Sequence, residues 1–181
     1  MGARKMILRS LSLLICLVAT SAHANLITDS HDIVLLGPNS SSVDYTYFGV
    51  STAGNFDLSA TNTGGSLDTF IRLFLDDGGL DAGDQIAFDD DGGIGLNSLI
   101  SSLFLPVGNY ILAMGDFFLE VEAAVSGVNI DDSSPEFGTA DIAISSEQGV
   151  AFLRSPAPVP VPATLWLFGL GLALIGWRRL D

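Results

Sequence analysis

The middle of this chain is a succession of short apolar runs, none of which repeats at the helical period. β-Branched and aromatic residues gather in Asp32 to Leu36, Ser42 to Val50, Gly54 to Ala60, Thr69 to Leu75, Gln85 to Phe88, Leu99 to Leu105, Gly108 to Met114 and Phe117 to Val125, with Gly, Asp, Asn and Ser between them. An amphipathic helix needs apolar residues every three to four positions over about eleven residues, and no stretch supplies that. Short runs bounded by turn formers read as β-strands. Thr69 to Leu75 is largely apolar on both faces, as expected of a strand buried between two sheets. Gly127 to Gln148 reads as an irregular loop with one last strand around Thr139 to Ser145. About eight strands with turns every eight to twelve residues predict an all-β domain, a single β-sandwich or jelly roll.

The two ends follow other rules. The chain has 181 residues, room for one domain plus processing segments, and its 48% apolar content is concentrated at the termini. Arg4, Lys5 and Arg9 precede the apolar run Leu11 to Ala19, and Ala22-His23-Ala24 then gives the small-x-small pattern of a signal peptidase site before Asn25. Residues 1–24 are therefore expected to be a signal helix removed on export. Cys16, the only cysteine, leaves with it, so the mature chain has no disulfide and no thiol chemistry. His31 is then the sole histidine.

At the other end, Pro156, Pro158, Pro160 and Pro162 make residues 155–162 a stiff extended spacer. Residues 163–181 follow: an uncharged stretch from Ala163 to Trp177, then Arg178-Arg179. Fifteen helical residues reach about 22 Å, short of a hydrocarbon core of about 30 Å, though apolar enough to insert. Trp166 and Trp177 suit the interface, and the arginine pair suits the cytoplasmic side. This order resembles the PEP-CTERM sorting signal of Gram-negative bacteria, carried by Val159-Pro160-Val161-Pro162-Ala163-Thr164, Trp166 and Arg178-Arg179. Val161 stands where the name-giving motif has Glu. The resemblance implies recognition by an exosortase-type membrane protease, passage through the inner membrane, and delivery to the cell surface or exopolysaccharide matrix. Tails of this kind also carry the label "ice-binding protein C-terminal motif", which describes the tail and not ice binding.

Charge separates the middle from the ends. Between Asn25 and Ser155 there are twenty acids and two bases, Arg72 and Arg154, a net −18. A domain so acidic repels nucleic acid and anionic headgroups. Seven carboxylates fall within sixteen residues on two glycine-rich loops: Asp76, Asp77, Asp81 and Asp84, then Asp89, Asp90 and Asp91. Glycine-rich turns can aim several oxygens at one point, and Ca²⁺ takes six to eight of them. A structural Ca²⁺ is the expected cofactor, with these seven residues as candidate ligands. The bland reading is solvated turn acids. The spacing is not an EF-hand, because position twelve is Ile100 from Asp89 and Phe88 from Asp77.

The same region carries a second resemblance. Asp68-Thr69-Phe70-Ile71-Arg72-Leu73-Phe74, Phe88-Asp89-Asp90-Asp91-Gly92-Gly93, Leu96-Asn97-Ser98-Leu99-Ile100 and Leu105 to Met114 follow one another in an order that resembles bacterial pre-peptidase C-terminal (PPC-like) domains. That resemblance implies a jelly-roll sandwich over residues 25–154 acting as a non-catalytic accessory domain. No nucleophile elbow or catalytic Cys is present, and a lone His31 is more often a surface residue than a base. The expectation is therefore not an enzyme. Two other classes stay open: a secreted polysaccharide-acting enzyme with a paired-carboxylate cleft, and an ice- or surface-adhesion protein with a flat Thr-rich ladder.

Overall fold

The computed structural model describes residues 24–130 and 134–155. The expected signal segment, the proline spacer and the apolar tail with its arginines lie outside them, apart from Ala24 and Ser155 at the edges. Twelve strands and one short helix follow in order: β1 (Asn25–Ile33), β2 (Leu35–Gly37), β3 (Ser40–Ser42), β4 (Asp44–Thr52), β5 (Gly54–Gly65), β6 (Thr69–Leu75), β7 (Gln85–Asp89), β8 (Ser98–Leu105), β9 (Gly108–Asp116), α1 (Val121–Ser126), β10 (Val128–Ile130), β11 (Gly138–Ser146) and β12 (Val150–Leu153). The described residues are thus mostly antiparallel strand with almost no helix.

Two large sheets face each other, one ordered β1-β11-β5-β8 and the other β12-β4-β9-β6-β7, with a small β10-β3-β2 sheet beside them. Alternation dictates what lies between them. In β5, Phe56, Leu58 and Ala60 point inward while Asn55, Asp57 and Thr61 point out. In β11, Ala140, Ile142 and Ile144 do the same. They meet Phe48, Val50, Ile71, Leu73, Tyr110, Leu112 and Met114 of the opposite sheet in one continuous core. Each such fully buried aliphatic or aromatic side chain contributes roughly 1.5–3 kcal/mol by leaving water. Phe48 and Tyr110 stack with ring centroids 5.4 Å apart, and the Tyr110 hydroxyl donates to the Pro106 carbonyl at 2.8 Å.

β6 occupies Thr69 to Leu75 as its sequence predicts, but only one of its faces meets another sheet. Ile71 and Leu73 enter the inter-sheet core, while Phe70 and Phe74 face outward into a second apolar cluster with Val43, Ile111, Leu119 and Ala124. That cluster is covered by the segment Phe117 to Val125, expected to be a strand. The structure makes it a turn and α1 instead. Glu122, Ala123 and Ala124 are good helix formers, and Gly127 at φ 82° ends the helix in the left-handed region, its N–H donating to the Ala123 carbonyl at 3.0 Å. One and a half turns are too short for periodicity to betray a helix. The Tyr45 hydroxyl ties α1 to the sheet by donating to the Ala124 carbonyl at 2.7 Å.

Strand β1 begins well before the expected Asp32. Its residues are mostly polar, yet all nine pair with β11, from Asn25↔Ser146 to Ile33↔Gly138.

Candidate functional site

Antiparallel pairing of β6 with β7, Ile71 opposite Asp89, brings the turn after β7 back to the start of β6. Asp90 and Asp91 therefore meet Asp68, the residue just before β6, and one carboxylate oxygen from each lies within 4.8 Å of the others. The turn is held by Asp89, whose Oδ2 accepts from the Gly92 N–H at 2.8 Å and the Leu99 N–H at 2.7 Å. Gly92 is required there, because a Cβ would stand 2.7 Å from the Asp89 carboxylate and 2.6 Å from the Leu99 carbonyl.

More acids stand behind the three. The Asp68 N–H donates to Glu136 Oε2 at 2.5 Å, and the Glu136 N–H donates to Asp116 Oδ2 at 2.9 Å. Asp116 is fully buried and also accepts from the Ser41 hydroxyl at 2.8 Å and from the Asn129 side-chain amide. The electrostatic consequence is plain. Burial, then repulsion from Asp90, Asp91, Glu136 and Asp116, pushes the Asp68 carboxyl up to about 6. Burial, then Asp91 and Asp89, raises Asp90 as well. Asp68 Oδ1 and Asp90 Oδ1 are buried without any hydrogen-bond partner. Buried acceptors are normally satisfied, so two orphan oxygens in one acid cluster are a specific signal.

The seven acids singled out from sequence thus separate. Asp90 and Asp91 join Asp68, which lay outside the two loops because it precedes the acid run. Asp89 holds the turn. Asp76 pairs with Arg154 at 2.6 Å. Asp81 and Asp84 cap one another's backbone around a single 3-10 turn, Gly83 N–H to Asp81 Oδ1 at 2.7 Å and Asp81 N–H to Asp84 Oδ2 at 3.2 Å. Asp77 joins no convergent acid group among the described residues. Neither base is free to neutralise the cluster. Arg154 is taken by Asp76, and Arg72 donates to the Leu119 carbonyl at 2.5 Å and to Gln85 Oε1 at 2.6 Å, with its guanidinium carbon 4.9 and 4.8 Å from the Phe70 and Phe88 ring centroids.

A second polar centre went unread in the sequence. His31 on β1 reaches across to β4, its Nδ1 2.9 Å from Asp44 Oδ2 and its Nε2 2.7 Å from the Thr46 hydroxyl and 3.2 Å from Asp29 Oδ2. Thr46 in turn donates to Asp29 Oδ2 at 3.1 Å. Burial, the largest influence, pulls the His31 pKa down, but hydrogen bonds and charge from Asp44 and Asp29 raise it on balance. The same contact holds Asp44 low. Carboxylate, imidazole and hydroxyl follow one another as in a nucleophilic triad, but Thr46 is 1% exposed and its proton serves Asp29, so no substrate carbonyl can reach it. The array clasps the two sheets together.

Set beside known families, residues 158–179 match the PEP-CTERM protein-sorting motif. The matched residues include Pro160, Pro162, Ala163, Thr164, Trp166, Arg178 and Arg179. The chain carries the signal of an exported protein that is processed at the membrane by exosortase and then attached at the surface. No curated protein matches the chain. Among the described residues, no helix is long and apolar enough to cross a membrane.

Proposed function

We propose that this is an exported, surface- or matrix-attached, non-catalytic β-sandwich domain whose Asp68, Asp90 and Asp91 bind a structural calcium ion. One observation carries the calcium reading: three converging carboxylates of which two present buried, unpartnered oxygens. An all-oxygen donor set suits a hard cation, and Ca²⁺ tolerates irregular geometry better than Mg²⁺. A divalent ion offsets the repulsion that raises Asp68 and gives both orphan oxygens a partner.

The fold reading is the PPC-like jelly roll. Setting aside the edge strand β12 and the small sheet, the order β1-β11-β5-β8 against β4-β9-β6-β7 is that of two interleaved Greek keys. The non-catalytic reading is supported by the uses to which the acids are put, in turns, ion pairs and caps. Signal peptidase cleavage before Asn25 fits the start of β1 at that residue.

Calorimetric melting of the exported protein at matched ionic strength tests the calcium reading. Millimolar Ca²⁺ should raise the melting temperature over chelator, corresponding to about 2.7 kcal/mol when the ion is at a hundred times its Kd. Asp90→Asn with Asp91→Asn should remove most of that difference. Equal melting temperatures with and without Ca²⁺ would return these acids to solvated turns.

A further inference from the structure

We propose that the open end of the four-stranded sheet is a binding site for a neutral, hydroxyl-rich polymer, a glycan without acidic groups. The proposal rests on the surface-protein reading above and adds a site and a ligand class to it. A cleft of about 680 Å³ opens where β1, β5, β8 and β11 meet the turn between β11 and β12, lined by Asn55, Asp57, Ser102, Ser145, Glu147 and Gln148 among others. Its size lies within the roughly 300–1,000 Å³ of small-ligand sites, enough for a short stretch of polymer.

Three observations select the ligand. The first is unspent hydrogen-bonding capacity: among the described residues, the side chains of Asn55, Glu147 and Gln148 make no hydrogen bond, although they are amide and carboxylate groups converging on one concavity. Asp57 uses one oxygen, accepting from the Ser102 N–H at 2.7 Å, and has the other to offer.

The second is backbone strain at the rim. Between Phe56↔Leu103 and Leu58↔Ile100 the β5–β8 register slips, leaving Ser101 and Ser102 opposite Asp57, and Ser102 takes φ 52°. A left-handed serine costs on the order of 1 kcal/mol and is kept where the surroundings enforce it. Here the Asp57 bond enforces it, and the bulge turns both serines to solvent.

The third is charge and shape on the adjoining sheet face. Across β1, β11 and β5 two outward rows, Thr28–Ala143–Ser59 and Ser30–Asp141–Thr61, carry short side chains, Leu99 of β8 extends the first, and Leu26 and Phe104 stand exposed at the cleft end of the face. Among the described residues, carboxylates (Asp57, Asp141, Glu147) and no base stand on this surface, so a polyanion is repelled. Leu26 and Phe104 are the large apolar side chains exposed beside the cleft, set among polar ones, and give a sugar ring's apolar face something to lie on. Sugar hydroxyls suit this surface, because each donates to carboxylate or amide oxygens and accepts from amide and hydroxyl donors, while a ring's flat edge lies against short side chains.

The test is native affinity electrophoresis of the exported protein in gels containing dextran, laminarin or mannan, with dextran sulfate as the acidic counterpart. At least one neutral polymer should retard the protein and dextran sulfate should not. Glu147→Ala with Gln148→Ala, neither of whose side chains bonds within the domain, should weaken the retardation roughly tenfold, equivalent to about 1.4 kcal/mol, with an unchanged melting temperature. Ser145→Arg, which fills the cleft, should abolish it. Three results would overturn the proposal: no retardation by any neutral polymer, undiminished retardation of the double variant, or concentration-dependent dimers in sedimentation that the Ser145→Arg variant dissolves. Asp90→Asn with Asp91→Asn should leave retardation intact, so a failed calcium response with intact retardation strikes only the cation reading.

Discussion

The two outer faces of the sandwich are built from strands of similar alternation yet end in opposite chemistry. Outside the five-stranded sheet, Phe70, Phe74, Ile111 and Ala113 are apolar and sit beneath Leu119 and α1. Outside the four-stranded sheet, the corresponding positions of β1, β11 and β5 are mostly Thr, Ser, Asp, Asn and Ala, with Leu26 and Phe104 exposed among them, and nothing covers them among the described residues. A strand apolar on both sides demands two covers, and this chain supplies the second one locally, from the residues that follow β9. A strand apolar on one side leaves its other face for solvent or for a partner. The asymmetry divides the domain into a covered face and an open one.

The largest expected effect strikes the covered face. Leu119→Ala removes the fully buried side chain that joins the α1 segment to the sheet, and should cost about 2–5 kcal/mol in denaturant unfolding. A loss below 1 kcal/mol would show that α1 is not a true cover and would erase the contrast.

Next comes the acid cluster, where pH gives a signed test. A carboxylate raised from its ordinary 3.8 to about 6 penalises the folded state once ionised. Asp68 should therefore lower stability as pH rises from 3.8 through 6, and leave it level above that. Asp68→Asn should flatten this slope in chelator, making the domain more stable at pH 7 while losing the calcium response. A steeper slope in the variant would refute the electrostatic account.

The His31 clasp, which joins the open sheet to the covered one, should be worth about 1–2 kcal/mol. His31 is raised above its ordinary 6.5, so its contribution is full below that value and fades as pH climbs through the folded one. Asp44 is held below its ordinary 3.8, so its share is present above that pH and fades on acidification through the lower folded value. The stability difference between the protein and His31→Gln should accordingly be greatest between pH 3.8 and 6.5 and shrink toward pH 8. A pH-independent difference would reduce the clasp to packing.

The smallest effect belongs to the open face. Thr61→Ala should change stability by no more than about 0.5 kcal/mol, since an exposed strand hydroxyl has water as its alternative partner. A loss like that of Leu119→Ala would mean that this face is covered after all.

Much of this was legible in the chain. Thr69 to Leu75 declared a strand buried on both sides, and the Gly- and Asp-rich breaks placed the turns. The acid loops flank the hairpin whose turn brings Asp90 and Asp91 to Asp68; of the seven acids only those two converge, and Asp68 comes from the neighbouring strand's start. The N-terminal half of β1 was illegible because Thr28, Asp29, Ser30 and Asp32 carry little apolar signal; their pairing with β11 makes them a strand. The segment Phe117 to Val125 misled because six helical residues give too few turns to show a period, and Phe, Leu and Val favour strands when isolated from context.

Local signals, then, determined what short-range chemistry can determine: the strand class of the domain, its net charge and the sorting tail at residues 158–179. Those properties depend on neighbours within a few residues, so they can be read along the line. Which acids meet, where His31 finds Asp44, and which sheet face stays open were decided by tertiary structure alone. Each depends on strands far apart in sequence being brought to within 5 Å by register, and register is set by the sum of side chains that can be buried together.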